Sequence, residues 1–518
     1  MSLQSRFLPD VRTVWRWHFY AGLFCVPFVL WLSVTGSIYL FKPQIEAWLD
    51  RPYDGLLQPG QNPATPESQV NAAIAAVPGS SLSYYELPRT RSGAAQVMVG
   101  KGADEYRVYV HPATAQVLYS VNERARPLPR IFYLHGELLA GNKGSMLIEL
   151  AGSWAIVLIL TGLVLWWPRN GMRLAGVLYP RLNLSGRVWW RDVHSVMGVW
   201  VSFFVLVLLI TGLPWAKSWG SYFQKIRAVA AGITTAPAWP TGSSSEREAT
   251  AAMNAAHVAA VSEGPHHQHG DAPPSRFAVF IHEQPAAGAY IAINTVLPVA
   301  ERLPLAYPVQ IVPPVKKGGS WFVRSDSQNR MLRDTYTLDR ASGAVLNRQV
   351  FSEQPWIDRV VNVGVSWHEG QLFGIFNQII GLFTAFGAAT LAISAVVMWW
   401  RRRPAGVLGA PVALASPSLA PALVVVAMLL ALISRCWAFP ESACFSRSGW
   451  HFGACPASGI GLVCNLSDVY LPVWLSGPPK GNQSGPGRSR RSRERAKKFA
   501  SSPVRNERGI RSKRPRAV

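Results

Sequence analysis

Four histidines stand at the polar ends of four long apolar runs, and their spacings repeat between the two halves of the chain. His18 opens one run, and Gly36 of a Val-Thr-Gly follows 18 residues later (36 − 18). His194 opens another, and Gly212 of an Ile-Thr-Gly follows at the same distance (212 − 194). His135 stands 31 residues before Trp166-Trp167 (166 − 135), and His368 stands 31 before Trp399-Trp400 (399 − 368). An ionisable side chain at membrane depth is costly and ordinarily faces a bundle interior or a cavity. Imidazoles there can ligate haem iron, relay protons or pass a metal ion. The plainer alternative is an interfacial residue whose polar tip reaches water. Recurrence at matched positions favours haem ligation. Proton relay, metal transport and a purely structural role stay open.

The elements that must carry these residues are legible from charge and hydropathy. Residues 19–41, 150–168, 195–216 and 370–400 contain no charged side chain. Each run is near or above the roughly 20 residues that cross a bilayer core. A fifth run, 404–434, has the length but is interrupted by prolines and glycines. The first run follows Arg6, Arg12 and Arg16 but is too long for a signal-peptide core, so it reads as a retained helix. The loop after the second run carries Arg169, Arg173, Arg181, Arg187 and Arg191, and Arg401 to Arg403 follow the fourth. An alternating path puts all these arginines on one side, the cytoplasmic one. His18 and His194 then lie near that face and His135 and His368 near the other. That arrangement gives two stacked bis-histidine layers, each built from both halves, able to pass electrons across a bilayer. Two haem b groups are the expected cofactors, with His18 and His194 as iron ligands in one layer and His135 and His368 in the other.

Large polar segments, 42–145 and 217–367, fall on the side opposite the arginine loops. Strand-like alternation followed by a turn runs through residues 107–118 and again through 334–346. The fold class expected is therefore a mainly α membrane protein made of a duplicated unit: helix, exported α+β module, helix. Its parts are residues 1–41 (N-terminus and first span), 42–145 (first module), 146–168 (second span), 169–192 (arginine loop) and 193–216 (third span). Residues 217–367 form the second module, 370–400 the fourth span and 404–434 a fifth. Residues 435–518 form a basic tail. Within the second module, residues 263–270 include His266, His267 and His269 and read as a solvated loop with metal binding as the lesser alternative. The tail holds 16 Lys and Arg against 4 Asp and Glu, so it supplies 12 of the 23 net positive charges. It lacks apolar periodicity, which reads as disorder and suggests an out-of-frame extension. With the remaining excess lying largely in short loops, nucleic acid is not an expected partner. Membrane lipid is. No dinucleotide fingerprint, phosphate loop or iron–sulfur cysteine cluster is visible, so electrons must come from quinol or another protein.

Trp15-Arg16-Trp17-His18, Leu134-His135-Gly136-Glu137, Asp192-Val193-His194-Ser195 and Trp367-His368-Glu369-Gly370 resemble the PepSY-associated transmembrane helix family, also called iron-regulated membrane proteins. The resemblance covers about residues 10–430. The exported hairpins look like PepSY modules, whose usual pattern is Asp-Pro-x-Thr-Gly-x-Val. In the first, His111 stands for Asp and Ala115 for Gly; the second keeps Asp339 and Gly343. The resemblance implies an inner-membrane haem protein that reduces a ferric siderophore, or another periplasmic electron acceptor, in iron acquisition. It also leaves a non-enzymatic role, in which the exported modules bind a peptide or modulate a peptidase. Arg124, Arg126 and Arg130 precede His135 closely enough to attract an anionic chelate or hold haem propionates, the plainer alternative being that they keep the loop solvated.

Overall fold

The computed structural model describes residues 10–102, 104–168, 174–231, 244, 290–314 and 319–412. Four helices in it are long and apolar enough to cross a membrane: α1 (Val11–Leu40), α5 (Gly141–Trp166), α6 (Gly186–Gly212) and α10 (Ile375–Arg402). They pack side by side, α1 against α5 and α10, and α6 against the same two. Asp10 starts α1 by accepting the Arg12 amide at 2.8 Å, which satisfies one of the open donors of the first turn. The apolar residues facing away from the bundle, such as Trp31, Phe203 and Phe386, are exposed, as lipid-facing side chains must be. The fifth apolar run, the His-rich segment and the basic tail lie outside the described residues, apart from 404–412.

The two polar segments, read separately in the sequence, meet in one antiparallel sheet of eight strands. The first contributes β1 (Ser81–Glu86), β2 (Ala95–Lys101), β3 (Asp104–Val110) and β4 (Val117–Asn122). The second contributes β5 (Val309–Val312), β6 (Trp321–Ser325), β7 (Thr335–Leu338) and β8 (Val345–Gln349). Their order is β4-β3-β2-β1-β5-β6-β7-β8, so each segment is a simple meander and the two join where Tyr85 faces Ile311. One face is covered by α3 (Pro66–Ala76) and α8 (Ile293–Ala300). Val70, Ala73, Ile293 and Val296 from these helices bury against Val97, Val108, Ile311 and Val323 of the strands. Helix α3 begins at Thr65, which caps the Ser68 amide, with Pro66 in its first turn. Glu67 and Asn294 bond each other across the two helices, which ties the halves together on this face.

Both expected hairpins form, and their turns explain the sequence differences between them. Asp339 Oδ2 accepts the amides of Ala341 at 3.0 Å and Ser342 at 2.7 Å. In the other turn His111 Nδ1 accepts the amides of Ala113 at 3.2 Å and Thr114 at 3.3 Å. Histidine thus does the turn-capping work of aspartate. The Gly343 position, at φ 69°, is occupied in the first hairpin by Ala115 at φ 55°, a conformation that favours glycine.

The remaining helices connect sheet and bundle. They are α2 (Lys42–Asp50), α4 (Pro127–Glu137), α7 (Lys217–Ala231) and α9 (Trp356–His368). The sequence placed His135 and His368 at the starts of spanning helices. In the structure each sits instead near the end of a short helix, α4 or α9, and a tight reversal leads into the span. Leu138 and Leu139 at φ 51° and 56°, then Gly141, make the first reversal; Gly370 and Gly374 make the second.

Candidate functional site

The fold brings the four histidines together in two pairs. His18 on α1 and His194 on α6 have ring centroids 6.3 Å apart, with planes at 88°. His135 on α4 and His368 on α9 are also 6.3 Å apart, with planes at 74°. Two imidazole nitrogens binding one ion from opposite sides at about 2 Å each would set ring centres a little over 6 Å apart, since each nitrogen lies about 1.1 Å from its ring centre. Both pairs match that separation.

Each Nδ1 is held by a hydroxyl on another helix. His18 meets Thr161 Oγ1 at 3.0 Å, His135 meets Thr35 at 2.8 Å, and His368 meets Thr211 at 3.2 Å. His194 meets Ser394 Oγ at 2.9 Å and the Leu391 carbonyl at 3.1 Å. These hydroxyls donate their own proton to a backbone carbonyl one turn back: Thr161 to Val157, Thr35 to Trp31, Thr211 to Val207, Ser394 to Leu391. They are therefore left to accept from Nδ1–H. That fixes the tautomer and leaves Nε2 unprotonated, the form that ligates a metal.

The glycines of the Thr-Gly pairs have a direct role. A Cβ at Gly36, Gly162 or Gly212 would stand 3.2 Å from Cε1 of His135, His18 or His368 respectively. Each glycine is a recess into which an imidazole edge fits. A glycine in a membrane helix ordinarily marks a close helix contact; the structure seats on Gly36, Gly162 and Gly212 the rings of His135, His18 and His368. The threonines were missed. Their signal was the recurrence of Thr-Gly at 35–36, 161–162 and 211–212, with Ser394-Ala395 as the fourth, weaker version. Helix α1 carries His18 and Thr35 17 residues apart (35 − 18), and α6 carries His194 and Thr211 at the same interval (211 − 194). At 1.5 Å per residue the two layers lie about 26 Å apart along the bundle.

Among the described residues no three His, Cys, Asp or Glu side chains gather as a metal cage. Two histidines per layer would instead suit a planar group that brings its remaining donors with it. Haem is such a group, and the donor set, tautomer and spacing suit it.

A cavity of about 780 Å³ lies between the open face of the sheet and α2, the end of α1 and the start of α4. Tyr133 and Glu369, sequence neighbours of His135 and His368 (the outer pair in the orientation read from the arginine loops), line it, whereas the histidines do not. Its walls are mixed. Nine carboxylates line it against seven Lys and Arg among the described residues, so it is not a cationic funnel. Of the arginines singled out in the sequence, Arg126 and Arg124 line it, whereas Arg130 does not. Arg126 is buried and pairs with Glu123 at 3.1 Å and Asp50 at 3.7 Å; Arg124 reaches Asp104 at 3.6 Å. Arg107, on the sheet face, bonds Glu123 at 2.9 Å and Glu86 at 3.3 Å. Burial works to raise the Glu123 carboxyl, but Arg107 and Arg126 together hold it below the ordinary range. At Glu86 burial outweighs the attraction of Arg107, and its carboxyl titrates above the ordinary range. Arg126 is thus committed to structure.

Charged pairs brace both layers. Asp192, fully buried two residues before His194, takes both arms of Arg181 at 2.7 and 3.0 Å. Arg227 of α7 makes a two-point pair with Asp358 of α9, both bonds 2.7 Å and both residues buried. Glu149 on α5 accepts the first amides of α7, Trp219 at 2.6 Å and Ser218 at 3.3 Å. α9, and with it His368, is tied through α7 to the span α5.

The family model described as PepSY-associated TM region matches residues 15–402, and no curated protein matches the chain.

Proposed function

We propose that this chain, which belongs to the PepSY-associated TM region family, is a di-haem membrane reductase. In this reading electrons from a quinol or protein donor cross the bilayer to an acceptor on the sheet side, a ferric siderophore in iron acquisition. The observation that carries it is the pair of 6.3 Å bis-histidine sites at the two ends of one helix bundle.

Bound haem supplies one-electron redox chemistry at each layer. The chain's own residues do the rest. Thr161 and Ser394, or Thr35 and Thr211, fix the imidazoles so that Nε2 is available. Gly36, Gly162 and Gly212 let three of those rings lie flush against neighbouring helices. The apolar spans exclude water between the layers, so charge crosses only as electrons. The arginine-rich loops support a cytoplasmic position for the His18–His194 layer, in a bacterial inner membrane on this reading. The sheet and its cavity then face the periplasm, where the cavity receives the ferric chelate. One electron converts its Fe(III) to Fe(II), which hard oxygen donors hold less tightly, and the metal is released. The matched intervals in α1 and α6 and the mirrored strand order support a duplicated ancestral unit.

Proteoliposomes loaded with a quinol and given an external ferric hydroxamate plus an Fe(II)-trapping dye test this reading. Wild-type protein should generate Fe(II) outside, and His135→Ala should abolish it. Equal rates for the two proteins would remove the histidine layers from the reaction.

A further inference from the structure

Two residues that line the cavity beside the sheet carry buried nitrogen donors that make no hydrogen bond. They are the Trp215 indole Nε1 and the Gln328 amide Nε2, both from cavity-lining residues. A buried N–H without an acceptor is expensive, and such groups ordinarily have a partner. Their setting says what the partner is. Trp215 lies four residues, about one helical turn, beyond Thr211, whose hydroxyl holds His368. The Arg330 guanidinium stacks over the Trp215 ring at 5.3 Å, and the Arg330 amide donates to Ser366, two residues before His368. Arg330 also reaches Asn362 on the same helix. Arg330, Trp215 and Gln328 thus line one cavity, with the Arg330 guanidinium against the Trp215 ring and Gln328 two residues before Arg330 in the chain. Glu369 lines the same cavity but accepts from neither donor.

We infer that Trp215, Gln328 and Arg330 form a carboxylate seat beside the outer histidine layer. A carboxylate accepts several N–H bonds at once and is attracted by guanidinium, so it would take both unpartnered N–H donors beside the Arg330 cation. Two sources could supply it: a propionate of a haem held by His135 and His368, or a carboxylate carried by the ferric chelate. The inference rests on the di-haem reading.

Trp215→Phe removes only the indole N–H and keeps a ring beneath Arg330; Gln328→Leu removes the second donor. Each is purified as the full chain, its two haems are titrated separately, and KM is measured for ferric citrate and for a ferric trihydroxamate lacking carboxylates. A propionate in the seat loses hydrogen bonds that offset its charge, so the outer midpoint potential falls while the inner one stays. A chelate carboxylate in the seat raises KM about tenfold for ferric citrate alone, with both potentials unchanged. An unaltered inner-haem spectrum shows that the variants fold. Normal potentials and normal KM for both chelates in both variants would overturn the seat while leaving the haem assignment intact. Wild-type protein without haem would instead overturn the functional reading itself.

Discussion

The two histidine layers share a centroid spacing but are built differently. In the inner layer both histidines lie on spanning helices, α1 and α6, whose packing against α5 and α10 fixes them directly. In the outer layer both lie on short helices, α4 and α9, that end in tight reversals. Its geometry is therefore held from the side, by Arg227–Asp358, by the Glu149 cap on α7, and by Thr35 and Thr211. The layer whose sequence neighbours line the cavity is the one whose position depends on contacts outside the bundle. A pair braced this way can be altered without disturbing its counterpart, and the consequences differ in size.

The largest effect is expected at the buried pair. Arg227→Met takes from the buried Asp358 its two-point partner, a loss that costs about 3–5 kcal/mol for a buried ion pair. The outer haem should be lost and the thermal transition lowered, with the inner haem retained; equal loss of both haems would show the layers to be one unit. Next come the glycine recesses, where the layers cross over. Gly36→Val is on the helix that carries His18, yet its Cβ would press on His135 at 3.2 Å. It should remove the outer haem alone, and Gly162→Val the inner alone, as read from haem content per chain. The reverse assignment would break the pairing described above.

The hydroxyls come third. Thr161→Val takes the acceptor from His18 Nδ1, a loss of about 1 kcal/mol in hydrogen bonding and about 10–100-fold in metal affinity where such partners have been removed. Haem transfer to apomyoglobin should accelerate from the inner layer only, and Thr161→Ser should restore retention. The smallest effect is in the sheet. Ala115→Gly relieves a left-handed alanine and should raise stability by up to about 1 kcal/mol in chemical unfolding, with haem content unchanged.

The sheet also has an acid response with a definite sign. Glu123 is held below the ordinary carboxylate range, so its stabilisation is complete above the unfolded-state value and is lost as pH falls through the folded one. Glu86, held above, acts in the opposite sense and favours the fold as it takes up its proton. Glu123→Gln should therefore weaken the protein at neutral pH more than at low pH.

Much of this was legible in the sequence, for local reasons. Four of the five expected spans and both hairpins depend on neighbouring residues and are present in the structure, while the fifth span falls outside the described residues apart from 404–412. The four histidines were found because their intervals repeat. What was not legible is non-local. The β1–β5 pairing that merges two meanders joins Tyr85 to Ile311 across more than two hundred residues, and no nearby residue announces it. The Thr35, Thr161 and Thr211 contacts require knowing which helices are neighbours. The break after His135 falls at Leu138-Leu139, which carry no turn signal, whereas Gly370 and Gly374 mark the equivalent break after His368. Arginines near His135 suggested an anion site from spacing alone, and the carboxylates that already occupy Arg126 come from distant segments.

Haem stoichiometry by pyridine haemochrome, on wild-type protein, His18→Ala and His135→Ala, tests the central claim most directly. Two layers built from His18–His194 and His135–His368 predict two haems, one and one, with the remaining haem at the inner potential in His135→Ala and at the outer potential in His18→Ala. A wild-type protein without haem, or a single haem abolished by either substitution, would contradict it.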